Sequence, residues 1–91
     1  MEFEWNPEKA AINLSKHNVS FQEATTVFND LLSVTFPDCD HSIGESRYVM
    51  IGMSSSGKLL VISHTDRADR IRIISTRTAT RPEQRFYEEG S

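Results

Sequence analysis

The chain has 91 residues, 37% hydrophobic and 25% charged, with a formal net charge of −3, which suits one soluble globular domain spanning residues 1–91. No apolar run approaches the length of a membrane span, and "MEFEW" lacks the apolar core of a signal peptide. The single cysteine, Cys39, excludes an internal disulfide framework and fits the reducing cytoplasm, and with only three histidines it offers no zinc-site spacing.

"EFEW" alternates acidic and aromatic residues, a short strand with Phe3 and Trp5 on one face. Asn6 then reads as an N-cap, with Pro7 at the first helical position and Glu8 beside the positive helix end. This predicts a helix over Pro7–His17 with Ala10, Ala11 and Leu14 as its buried stripe, stopped at Asn18, a residue that tolerates the left-handed conformation. "VSFQEATTVFNDLL" predicts a second helix. Its capping box is Ser20 to Glu23, and Ala24, Val27, Phe28 and Leu31 fall on one core-facing stripe.

"LSVTF" alternates as a strand and stops at Pro37, and "PDCDHSIGES" is a polar loop. "RYVMIGM", "LLVISH" and "RIRIIS" read as three further strands, joined by the turn "SSSGK" and the connection "TDRAD". Thr80 opens a last helix with a second capping box, Thr80 to Glu83, and Phe86 inward, before a fraying "EEGS" tail. The order β-α-α-β-β-β-β-α predicts an α+β fold. Its sheet is an antiparallel β-meander, with two N-terminal helices and one C-terminal helix packed mainly on one face.

The net charge hides an asymmetry. Residues 1–46 hold two lysines against eight carboxylates, a balance of −6, while residues 47–91 hold eight cations against five carboxylates, a balance of +3. His64, Arg67, Arg70, Arg72 and Arg77 crowd into "HTDRADRIRIISTRTAT". Arginine binds phosphate or carboxylate bidentately, so the cluster suits an anionic partner. An arginine-decorated sheet edge that resists aggregation accounts for the composition equally well. By alternation Leu60, Ile62 and His64 share one side of their strand, and Ile71 and Ile73 oppose Arg70 and Arg72.

Three ordered blocks, "FEWNPEKAAINLSKHNVSFQEATTVF" at 3–28, "RYVMIG" at 47–52 and "RIRIISTRTATRPEQRFYEEG" at 70–90, resemble the BrnT family, the toxin half of a bacterial type II toxin–antitoxin pair. Two departures from the family pattern appear: Asn18 stands where glycine is common, and "STRTAT" replaces "SARKAT", removing a basic residue at Thr78. The resemblance implies a RelE-like fold and a ribonuclease that blocks translation. It also implies neutralisation by a BrnA-type antitoxin, contact with DNA only through that antitoxin, and a possible dimer of toxin–antitoxin pairs.

Metal-free RNA cleavage needs a base for the 2′-hydroxyl, an acid for the leaving oxygen and cations for the phosphate. His64 is the candidate acid or base, placed beside Arg72, the phosphate clamp, if the strand register puts both on one face. Alternatively, His64 is an ordinary hydrogen-bonded or exposed strand-end residue. Arg77 is a second clamp candidate. Strict alternation sets it on the face opposite Arg72, but "TRT" is expected to have left the strand. Arg67, Arg70 and Arg47 are candidate RNA contacts or plain surface. Lys16 and His17 are candidate contacts too, although the helix dipole already accounts for cations at a helix C-terminus. Tyr87 packs or donates a proton near the arginines. In "DCDHS", Asp38, Asp40 and His41 lack the glycine and distal glutamate of a calcium loop and read as a solvated acidic loop, so neither metal nor cofactor is expected. The competing functional class is a non-catalytic RNA- or antitoxin-binding module acting in autorepression.

Overall fold

The computed structural model describes residues 1–41 and 44–90, and of His41 only the backbone. Strand β1 is Glu2–Glu4, followed by helices α1 (Pro7–His17) and α2 (Phe21–Val27), strands β2 (Val34–Pro37), β3 (Arg47–Met53), β4 (Leu59–Arg67) and β5 (Arg70–Thr78), and helix α3 (Arg81–Glu88). Helix α1 has the predicted limits. The Asn6 side chain accepts from the N–H groups of Glu8 and Lys9 at 2.8 and 3.2 Å, and Asn18 ends the helix at φ 57°.

Its inward residue is not the predicted one. Ala11 and Leu14 are exposed, Ala10 is half-buried, and Asn13 is buried. The reason is the position of α1 beside β5, where a polar strand edge must be satisfied. The Asn13 amide donates to Thr76 O at 2.8 Å and accepts from Thr76 N–H at 3.1 Å, pairing with the strand as a peptide would.

Helix α2 buries Phe21, Ala24 and Val27 and stops there. Leu31, predicted on its stripe, is 98% exposed. The Asp30 carboxylate binds the N–H groups of Leu32 and Met53 at 2.9 and 2.8 Å, offering the backbone an alternative to helix. Only half of the predicted N-terminal capping box forms. Ser20 Oγ accepts from Glu23 N–H at 3.0 Å, but the Glu23 carboxylate accepts instead from Ser54 and Ser56, tying α2 to the β3–β4 hairpin. These two hydroxyls, Ser56 first, hold the Glu23 carboxyl below its usual range.

The sheet order is β1-β5-β4-β3-β2. Strands β2 to β5 form the predicted antiparallel meander, and β1 adds to β5 in parallel, pairing Phe3 with Ile71 and Glu4 with Arg72. The sheet is therefore mixed. The β4–β5 connection is tighter than "TDRAD" suggested: only Ala68 and Asp69 lie outside the strands, with Ala68 at φ 56°.

One sheet face carries Met50, Leu60, Ile62 and Ile73, which pack with Val19, Phe21, Ala24 and Val27 into the main core. Gly52 lies on this face, where an added Cβ would stand 2.6 Å from Val27 Cγ1, so only glycine admits α2 at this distance. Helix α3 lies across the other face rather than joining α1 and α2. Phe86 meets the Phe36 ring at 6.1 Å, and the pairs Phe36–Val49 and Arg77–Val61 place these contacts on the side opposite the main core. Phe86, predicted inward, is 42% exposed there.

Candidate nucleic-acid interface

The geometry of the cationic segment turns on one irregularity. Ser63 pairs with Ser75, but His64 pairs with Ile73, leaving Ile74 as an extra residue in β5. Such a bulge resets which side chains share a face. Directly paired residues of antiparallel strands point to the same side. His64 therefore points with Ile73 and Tyr48 into the apolar face, whereas Arg72, paired with Thr65, points to the other. The expected side-by-side placement of His64 and Arg72 does not occur.

His64 is 5% exposed. Its ring meets Phe28 edge-on at 5.1 Å and stacks on Tyr48 at 5.8 Å, and both ring nitrogens are buried without a hydrogen-bond partner among the described residues. Burial pushes its pKa below the usual histidine value, partly opposed by the Asp66 charge, so the ring is neutral near pH 7.

The same bulge has the reverse effect on Arg77. Strand β5 continues through Thr78, so Arg77 has not left the strand, and the extra residue returns it to the face of Arg72. A cross-strand row on this face runs Glu4, Arg72, Thr65, Arg47 through β1, β5, β4 and β3. The paired Ser63 and Ser75 follow, and then Arg77 beside Val61. At a strand rise near 3.3 Å, Arg72 and Arg77 stand about 15 Å apart, with small hydroxyl residues between them.

Carboxylates already touch most of these cations. Arg72 Nη1 lies 2.8 Å from Glu4 Oε2, Arg70 lies 3.5 Å from Glu2 and 3.8 Å from Glu4, and Arg67 lies 3.4 Å from Glu45. Arg77 grips Glu83 bidentately, both bonds at 2.8 Å. Glu83 also accepts from the Thr80 N–H and hydroxyl, completing the predicted capping box. The Arg77 guanidinium, with the Thr80 bonds, overcomes burial and brings the Glu83 carboxyl down to about 2.

Tyr87 serves the α3 anchor rather than the arginines. Its hydroxyl donates to Asp30 Oδ2 at 2.6 Å, and that bond, with burial, pushes its pKa up to about 12. Lys16 and His17 line a shallow cleft with Asn13, Ile74 and Ser75, at the sheet edge beside the bulge. Cys39–His41 form a single 3-10 turn, and Ser42 of "DCDHS" lies outside the described residues.

Two residues that matter to β5 carried no expectation from the sequence, Glu4 on the arginine face and Asn13 at the strand edge. A signal for the first was present: Glu2 and Glu4 alternate in "EFEW" as Arg70 and Arg72 do in "RIRI". Nothing in the sequence marked Asn13, which sits among exposed helix positions.

The fold has a counterpart among solved structures. The 1.1 Å crystal structure of the Brucella abortus ribonuclease toxin BrnT superposes with a TM-score of 0.69 at 23% sequence identity, covering 89% of this chain and 99% of that one. No curated protein sequence matches the chain. The family model described as "Ribonuclease toxin, BrnT, of type II toxin-antitoxin system" matches residues 5–83, from the end of the first strand through Arg77 to Glu83. On that match the chain belongs to the BrnT family of ribonuclease toxins from type II toxin–antitoxin systems.

Proposed function

We propose that this toxin cleaves RNA by metal-independent transesterification on the face of Arg72, Arg77 and Arg47, and so blocks translation. The observation that carries the reading is the bulge at Ile74, which turns Arg72 and Arg77 to one side of the sheet. Carboxylate and phosphate present the same two-oxygen edge to a guanidinium. Glu4 and Glu83 therefore mark where RNA phosphates dock, and RNA exchanges with or bridges to these carboxylates. Arg67 and Arg70 extend the track towards the β4–β5 hairpin, while Lys16 and His17 flank it at the sheet edge. A phosphate held by Arg72 has its developing negative charge stabilised by a cation that stays protonated at all relevant pH.

His64 has no place in this scheme as a proton carrier, because it lies behind the sheet in an aromatic cage. The neutralising partner in this reading is a BrnA-type antitoxin, through which alone the pair reaches DNA, with two toxin–antitoxin pairs joined as a dimer.

The test is cleavage of end-labelled RNA by the purified chain in EDTA, beside Arg72→Ala and Arg72→Lys. Expected are fragments ending in 2′,3′-cyclic phosphate, abolished by alanine and strongly reduced by lysine, which lacks the planar fork. RNA left intact by the wild type but retarded on a gel would replace catalysis with the binding-module reading. Loss of activity on adding EDTA would remove metal independence.

A further inference from the structure

Cleavage by this route needs a proton acceptor on the arginine face, and we infer that it is Glu4. The inference rests on the ribonuclease reading above and adds a residue to it. Among the described residues, three carboxylates border the Arg70–Arg77 stretch of this face. Glu83 is committed: both oxygens bind Arg77, Thr80 donates to one of them, and its pKa of about 2 makes it a poor base. Among the described residues Glu2 pairs with Arg70 alone, at 3.5 Å, one row away from Arg72, with a side chain 63% exposed.

Glu4 differs from both. One oxygen lies 2.8 Å from Arg72 Nη1, while the other lies 3.8 Å from Arg70, beyond hydrogen-bond reach, and is available to accept. Its side chain is 25% exposed, sheltered but reachable. Its aim is fixed by its neighbours. Phe3 packs edge-on against Phe28 at 5.0 Å and Trp5 against Phe21 at 5.9 Å, both on the core side. Strand alternation then leaves Glu4 no direction except towards Arg72.

The attacking 2′-oxygen and the phosphate are adjacent in the substrate, so the base must sit beside the group that holds the phosphate. A carboxylate touching the clamp arginine meets that requirement. In the step, the O2′–H bond breaks and its proton passes to Glu4, the O2′–P bond forms, and the P–O5′ bond breaks. The departing O5′ takes a proton from water, and the hydroxide left behind is neutralised by the proton that Glu4 gives up, which restores the carboxylate. The products are a 2′,3′-cyclic phosphate and a 5′-hydroxyl end.

Glu4→Gln keeps the shape and an oxygen for Arg72 but removes the basicity. Single-turnover cleavage of an oligoribonucleotide by the full chain is measured from about pH 4 to about pH 8, across the carboxylate range. Wild type is expected to lose rate towards the acid end of that range, where a carboxylate base is protonated. The variant is expected to be slower by about 10²–10⁴-fold, without that acid limb. The folded variant should bind a 2′-deoxy analogue no more weakly than the wild type, because the carboxylate that competes with phosphate for Arg72 has lost its charge, so slower cleavage cannot come from lost binding. A variant that cleaves at the wild-type rate, or more slowly with the acid limb intact, assigns Glu4 a structural role and overturns the inference while leaving the ribonuclease reading standing. A wild type that binds the analogue but never cleaves RNA overturns both.

Discussion

Desolvation decides what His64 does. An imidazole closed between Phe28 and Tyr48, with no partner for either nitrogen among the described residues, resists taking a proton in the folded chain but accepts one freely once unfolded. Its folded pKa lies below the unfolded value of 6.5. The stability this contributes is thus fully present above pH 6.5, is lost as pH falls below it, and stops changing once pH passes the folded pKa. Urea unfolding at about pH 8, 6.5 and 5 should show stability declining between the last two, and His64→Leu should flatten that decline. An equally steep decline in the leucine variant would mean that another group is responsible. Glu83 titrates in a separate window, because its depressed carboxyl gives up stability only between its ordinary value of 4.5 and about 2.

Among elements, the attachment of α1 to β5 is unusual in using one side chain for two backbone bonds. Beyond Arg72, where β1 ends, the outer edge of β5 has no strand partner, and Asn13 fills that place at Thr76. Removing the amide takes the Asn13 bonds from the N–H and C=O of Thr76 and from the C=O of Val19, and a buried group left unpaired costs about 1–3 kcal/mol, not additively. Asn13→Ala should therefore destabilise the fold by about 2–4 kcal/mol, read as a lower urea midpoint at unchanged m-value. A change under about 0.5 kcal/mol, the usual effect of a surface substitution, would mean that water replaces the amide. The bulge beside it acts over a longer range. One inserted residue, Ile74, sets the faces of everything from Ser75 to Thr78 and thereby gives Arg77 to the cationic side.

Across the whole molecule the two sheet faces divide the work. The apolar face, under α1 and α2, holds the core, and the opposite face holds the arginines, with α3 braced against it by Arg77–Glu83 and Tyr87–Asp30. The charge split along the sequence is largely closed in space, because Glu2, Glu4 and Glu45 from the acidic half contact Arg67, Arg70 and Arg72 from the basic half. RNA binding through three or four of these arginines should weaken with salt at a log–log slope of about −2 to −3, and Arg72→Ala should make it shallower by about 0.7. Fluorescence anisotropy with a 2′-deoxy-substituted oligonucleotide checks this, and a dissociation constant indifferent to salt would sink the electrostatic reading.

By itself the sequence determined the local features, because each is set by a few adjacent residues. Asn6, Pro7 and Asn18 bound α1, Thr80 and Glu83 cap α3, and the β-branched runs become the meander. The three quoted blocks were enough to name the family. Four outcomes waited for the tertiary structure: the parallel docking of β1, the early stop of α2 at Val27, the inward turn of Asn13, and the side of the sheet on which His64, Arg72 and Arg77 emerge. Each depends on a partner far away in the chain, and the last depends on a single extra residue. Period-two alternation carries no memory across a bulge, so the strand pattern alone could not tell which face its arginines would share.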